Sequence, residues 1–260
     1  MTTGKTAQYE QRGQVGLVTL QRADAMNAFN EALRRDLHEA LEAAADDERV
    51  RAVVLHGEGR SFCAGADLKG GLDTEKSVEH VLQEEYRPIF ERIDSMPKPV
   101  IAAVGGSAAG IGMSLALSCD LVLMAEDAFL LSPFTTISLV PDGGLNWHLV
   151  QQLGYRRAFQ LSVESERIPA ARCVDLGLAN RAVSADRLLA DALAWGDSIA
   201  ERAPLSVAAT KRAMRHAASG SWATTFDIEA SLQDTLRDSE DCSEGVAAFL
   251  DKRKAEFKGR

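Results

Sequence analysis

Four runs in the first two-thirds of the chain, Val15 to Leu20, Ala52 to His56, Val100 to Val104 and Leu121 to Ala125, are rich in branched apolar residues. Several are apolar at consecutive positions, so as strands they need cover on both faces. Helical patterns lie between them. The clearest is Glu31 to Ala45, with Leu33, Leu37, Leu41 and Ala44 on one stripe and Asn30 placed as an N-cap. A second runs from Ser77 to Ile93 along Val78, Leu82, Ile89 and Ile93, must bend or restart at Pro88, and gives way to the Pro97-Lys98-Pro99 turn. Past about Asp186 strand signals stop and helical periodicity carries on through Phe257. The pattern predicts an α/β body with a helical carboxy-terminal region. No low-complexity linker separates the two parts, so they are not expected to fold independently.

With 260 residues, 46% of them hydrophobic, the chain can build one sizeable core or two modest ones. The 29 basic and 38 acidic side chains leave a net charge of −9 with no basic block, which argues against a nucleic-acid partner but not against a local anion site. Cys63, Cys119, Cys173 and Cys242 have neither zinc-site nor disulfide-framework spacing, so a reducing compartment and no metal are expected. Met1 to Glu10 is polar and unlike a signal peptide, and no segment has the roughly 20 apolar residues of a membrane span. The expectation is a soluble cytoplasmic protein.

Some motifs mislead. Gly57-Glu58-Gly59 follows a strand as a dinucleotide-binding turn would, but Phe62 takes the third glycine position. Gly4-Lys5-Thr6 has no strand before it and reads as a polar tail, and His148 reads as a packed or surface histidine. Three segments carry more chemistry. Ser61 to Leu68 and Gly105 to Gly112 are small-residue runs that each follow a buried strand, and the second opens a short helix through Leu117. Glycines let main chain approach a ligand, and a helix start leaves N–H groups free, so the two loops could aim a pair of donors at one oxygen. Composition alone is met more simply by two tight turns packed with small residues. Pro141-Asp142-Gly143-Gly144 precedes a helical stretch from Leu145 to Leu153. Alone, Asp142 reads as an N-cap or turn aspartate. Its apolar neighbours Phe134, Ile137, Leu139 and Val140 also suit a carboxylate tuned for proton transfer.

Taken together, these residues resemble the enoyl-CoA hydratase/isomerase (crotonase) superfamily over almost the whole chain. The resemblance is carried by Arg22 to Asn30, Phe62 to Lys69, Lys98 to Asp120, Pro141 to Trp147 and Ser243 to Arg253, in that order. Within the superfamily the sequence looks most like the ring-epoxide phenylacetyl-CoA isomerase branch, through Ala108-Ala109-Gly110-x-Gly and Pro-Asp-x-Gly-x-x-Trp. The resemblance implies a crotonase-like spiral of ββα units over residues 1–202 and a helical oligomerisation region over 203–260, assembled as a homotrimer or dimer of trimers. It implies an acyl-CoA thioester as substrate, with no separate cofactor. The two oxyanion N–H groups fall on Ala66 and Ile111. The CoA follows Met26 to Ala28 and Ala64, Asp67 and Leu68, Phe134 joins the substrate-binding set, and a neighbouring subunit adds Phe249 and Lys252.

Two departures decide the expected chemistry. Hydratases of the family carry glutamates at the positions of Ser114 and Phe134, whereas Asp142 falls where several isomerase branches keep their single acid. Adding water is served by two carboxyl groups; shifting a double bond needs one base beside an oxyanion hole. The expectation is therefore an isomerase acting through Asp142. Alternatives are a hydratase with relocated acids and a non-catalytic acyl-CoA binder. Gly105, Ser138 and Leu145 also depart from the family pattern, which has asparagine, glycine and glycine there. Leu145 either narrows the pocket beside Asp142 or packs the following helix.

Overall fold

The computed structural model describes residues 4–70 and 76–260. Its strands are β1 (Ala7–Arg12), β2 (Val15–Leu20), β3 (Ala52–Gly57), β4 (Ser61–Cys63), β5 (Val100–Val104), β6 (Ser107–Ala109), β7 (Leu121–Ala125), β8 (Phe129–Leu131), β9 (Ile168–Pro169) and β10 (Arg181–Val183). They form a six-stranded sheet, in the order β1-β2-β3-β5-β7-β10, and a four-stranded sheet, β4-β6-β8-β9. From β2 to β10 the large sheet is parallel; β1 adds an antiparallel edge. Three times the chain leaves the large sheet and at once adds a short strand to the small one, as β3–β4, β5–β6 and β7–β8. The four runs apolar at consecutive positions are the central strands, and Val53, Val54, Leu55 and all of β5 are fully buried, as cover on both faces demands.

The helices are α1 (Glu31–Asp46), α2 (Val78–Val81), α3 (Arg87–Ser95), α4 (Ile111–Ser118), α5 (Leu145–Leu153), α6 (Tyr155–Glu164), α7 (Ala170–Asp175), α8 (Leu188–Ala200), α9 (Pro204–Ala217), α10 (Trp222–Arg237) and α11 (Glu240–Asp251). Helix α1 starts where expected: the Asn30 side chain accepts the Leu33 N–H at 2.9 Å, and Leu33, Leu37, Leu41 and Ala44 are buried. Its far end is closed by Lys98, whose ammonium donates to the Ala44, Ala45 and Asp47 carbonyls at 2.9, 2.8 and 2.7 Å.

Three expectations need correction. The amino-terminal stretch is no tail: Thr6 donates to the buried Asp36 carboxylate and β1 follows, an edge strand with too few apolar residues to announce itself. The segment after Ser77 restarts as α3 with Pro88 in its first turn, as expected, but one turn of α2 and a π turn at Leu82–Tyr86 precede it, and Val78, 57% exposed, is off the buried stripe. Helix α11 ends at Asp251, six residues before Phe257, with Lys252 left-handed as its cap.

Helices α9 and α10 bury no residue fully within the chain. Polar bonds fasten them instead. Lys211 on α9 donates to the Ile93 and Lys98 carbonyls at 2.6 and 3.1 Å and pairs with Asp120 at 2.8 Å, while Arg215 reaches Asp120 and the Ser118 carbonyl. The chain beyond α11 is tied back by buried Asp241 of α11, which accepts the Lys258 and Gly259 N–H groups, and by Arg51, just before β3, which donates to the Phe257 carbonyl. No helix among the described residues is long and apolar enough to cross a membrane.

Candidate active site

Strands β4 and β6 pair in parallel, so the glycine-rich segments that follow them emerge side by side. Gly65 and Gly110 both have positive φ, +99° and +55°, and they lie back to back: a Cβ on Gly65 would stand 2.9 Å from the Ala109 carbonyl oxygen and 3.7 Å from Gly110 Cα. A side chain at Gly65 would push the loops apart. Ala66 and Ile111 are the residues that follow these two glycines. The Phe29 N–H bonds the Gly65 carbonyl and the Asp67 N–H bonds the Phe29 carbonyl, a parallel bridge that turns the Ala66 N–H the other way. Ile111 is the first residue of α4, where an N–H has no intrahelical acceptor. Among the described residues neither the Ala66 nor the Ile111 N–H has an acceptor in the protein.

The Asp142-Gly143 turn lies on the same end of α4. A Cβ on Gly143 would stand 3.0 Å from each of Ile111 Cγ1, Ser114 Cβ and Phe90 Cζ. The Ser114 hydroxyl donates to the Asp142 carbonyl at 2.8 Å, and the Leu145 N–H donates to the same oxygen at 3.1 Å. The Asp142 carboxylate has no such support. Its Oδ1 is buried without a hydrogen-bond partner, and burial pushes the carboxyl up to about 6, against a small pull from its own backbone N–H. A neutral acid and a carboxylate are then both accessible near pH 6. Asp142 is not the N-cap of α5; Gly144 is. Nor do Ile137, Leu139 and Val140 enclose it, since all three are exposed, Val140 by 71%. Around this turn, Phe90 and Ile111 provide the apolar packing that the sequence reading assigned to its chain neighbours. Leu145 is fully buried and packs its helix.

Tyr86 and Phe90 had no role in the sequence reading. The π turn delivers Tyr86 to the start of α3, and Phe90 follows one turn later on the same face. The Tyr86 ring stands edge-on to Phe29 at 5.3 Å, with the Arg34 guanidinium 5.1 Å over its face. Tyr86 thus packs on Phe29, the bridge partner of Ala66, while Phe90 packs on the Asp142-Gly143 turn. Tyr86, Phe90 and Ile93 at i, i+4 and i+7 were a visible stripe, obscured by the competing stripe from Val78.

The expected CoA segments also meet. The Ala64 N–H donates to the Met26 carbonyl at 3.0 Å, and Arg22 bonds both the Ala28 carbonyl and Asp67, the latter at 2.9 Å. The Arg22 guanidinium holds the Asp67 carboxyl below the ordinary carboxylate range. Fully buried Asn27 ties the segment down: its amide donates to the Glu58 and Ser61 carbonyls at 2.9 and 2.8 Å and accepts the Arg22 N–H at 2.8 Å. Leu68 is exposed beside this edge. Phe249 and Lys252 stand exposed at the end of α11.

A profile of the enoyl-CoA hydratase/isomerase family matches residues 10–260 of this chain. The chain belongs to that family. It is 41% identical to a probable enoyl-CoA hydratase of Rhodobacter capsulatus over 98% of both chains. It is 33% identical to the 1,2-epoxyphenylacetyl-CoA isomerase of Escherichia coli over 94% of both. The crystal structure of an enoyl-CoA hydratase from Bacillus anthracis superposes with a TM-score of 0.93 at 30% identity, covering 98% of this chain and 100% of that one. The two-sheet spiral is therefore the crotonase fold.

Within that family the two positions expected to hold hydratase glutamates are filled in ways that leave no acid. Ser114 is fully buried and spends its hydroxyl on the Asp142 carbonyl. The Phe134 ring is buried against the second glycine loop, 3.8 Å from where a Gly110 Cβ would be. His148 packs edge-on to Trp147 at 5.0 Å and is pushed down to about 4, chiefly by burial. It faces a 730 Å³ cavity between α5 and α9 that contains none of Ala66, Ile111 and Asp142.

Proposed function

We propose that this family member is an enoyl-CoA isomerase with Asp142 as its single acid/base. The observation that carries the reading is a partly buried carboxyl, one oxygen of it without a partner, on a turn packed against the same helix end as a free N–H donor, with serine and phenylalanine where hydration would need further acids. CoA lies along Met26 to Ala28 and Ala64 to Leu68, and Phe249 and Lys252 of a neighbouring copy complete its cover. The thioester oxygen accepts the Ala66 and Ile111 N–H groups. The Asp142 carboxylate takes a proton from C2 of a 3-enoyl-CoA, leaving a dienolate whose negative oxygen is held by those two donors. The same carboxyl returns the proton to C4, and the double bond now lies between C2 and C3.

Hydration is the second reading, favoured by the name of the Rhodobacter capsulatus relative. It asks Asp142 alone to place a water and manage its protons. The assay that separates the two offers 3-enoyl-CoA and 2-enoyl-CoA individually and follows both isomer exchange and 3-hydroxyacyl-CoA formation. Isomerisation should dominate, and Asp142→Asn should lose about 100-fold to 10,000-fold of it while thioester affinity is nearly kept. Fast hydration insensitive to Asp142→Asn overturns the proposal, and binding with no turnover of either substrate makes the protein an acyl-CoA binder.

A further inference from the structure

Asp142 is aimed by its backbone alone. Its Oδ1 has no partner, whereas its carbonyl is held from two sides, by the Ser114 hydroxyl at 2.8 Å and by the Leu145 N–H at 3.1 Å. The first tie reaches α4 and the second α5. Ser114 lies three residues after Ile111, so one turn of α4 carries both the free N–H and the pin for the acid. The distance between donor and acid is thereby set within a single helical turn, not across two independent loops. There is no slack in this contact. The missing Gly143 side chain leaves its Cβ position 3.0 Å from Ser114 Cβ, Ile111 Cγ1 and Phe90 Cζ. A glutamate at position 114 would drive three further heavy atoms into the volume that the Asp142-Gly143 turn fills.

We infer that Ser114 is a positioning residue for Asp142, and that Ser114 and Gly143 together fix the single-acid form of the site, because the turn that presents Asp142 occupies the space a second acid would need. The inference rests on the reading of Asp142 as the acid/base, and goes beyond it in naming what aims the carboxyl and what excludes a partner for it. The Ser114 hydroxyl is committed to the protein and is not free to hold a water.

The test uses the full-length protein with a 3-enoyl-CoA substrate and measures kcat, KM and the pH profile of Ser114→Ala, Ser114→Cys and Asp142→Asn. Alanine removes the donor without adding volume, and cysteine keeps the branch point of serine with a larger, weakly donating sulfur. Both Ser114 variants should lose about 10-fold to 100-fold in kcat, the scale of a misplacement near 1 Å, with KM changed less than about 2-fold. Their apparent pKa should fall from near 6 toward about 4 as water reaches the loosened carboxyl. Tyr86 from the start of α3 and Cys63 from β4, pushed up to about 12, stay neutral throughout that range, and His148 on α5, pushed down to about 4, is neutral above it, so the shift is read from the profile between about pH 5 and pH 7. Wild-type kcat and pH profile in Ser114→Ala or Ser114→Cys overturn the inference. So does a raised KM with an unmoved profile, which marks a merely structural serine. Undiminished isomerisation by Asp142→Asn instead removes the acid/base reading itself.

Discussion

Asp142 is a carboxyl that folding makes harder to ionise, and this has a sign that can be measured. Its folded value near 6 lies about 2 units above the ordinary aspartate value, so between about pH 4 and pH 6 the folded chain keeps a proton that the unfolded chain has lost. Stability contributed by the neutral form is complete below pH 4 and is lost as pH rises through 6. Asp142→Asn removes that loss. Urea unfolding should find the variant more stable than wild type at pH 8, by about 3 kcal/mol at most, and equal to it at pH 4. Greater stability of wild type at pH 8 would contradict the burial assigned to the carboxyl. The segments that hold Ala66, Ile111 and Asp142 stood out in the sequence because each is a local motif of glycines and small residues, and the family resemblance singled out the residues within them. It could not identify the partner of Ser114, which is 28 residues away and reached only when α4 meets the turn before α5. Asn27 was visible as part of a motif, but its three backbone bonds run to residues as distant as Ser61.

Elements were legible in proportion to their length. Central strands of five or six residues, most of them apolar, and the capped helix α1 carry their periodicity within themselves. Strands β4, β6, β8, β9 and β10 have two or three residues each, too few for any period, and exist because pairing completes them. The π turn before α3 was hidden for another reason: a proline nearby offered a simpler place for the break. Ser138 marks an element boundary with strain in it. It closes the single turn at Phe134–Ile137 in a left-handed conformation, φ +60°, at a position where the family pattern has glycine. A Cβ there costs roughly 1 kcal/mol, partly offset in the variant by the freer unfolded glycine chain. Ser138→Gly should therefore stabilise the protein by about 0.5 kcal/mol in denaturant titration, and a loss of stability would mean that the hydroxyl carries more than the turn.

The carboxy-terminal helices present much apolar surface. Trp222 is 80% exposed and stacks on Phe226, and Phe249 and Leu250 are 82% and 72% exposed on α11. Such surface argues for association with further copies, and the family resemblance sets their number at three or six. Light scattering at micromolar concentration should return the mass of three or six chains, and a monomer mass would count against it. The periodicity of these helices was plain in the sequence, but their fastening was not, because it depends on charges from distant segments. That fastening has an evolutionary side. Lys211 and Arg215 complete the ion group of Asp120 from another part of the chain. In this chain the last helices are not a free-standing cassette: exchanging them for a segment lacking a cation at position 211 would take the donor from the Ile93 and Lys98 carbonyls and leave Asp120 with Arg215 as its one cation from α9. The two regions are bound to drift as a pair.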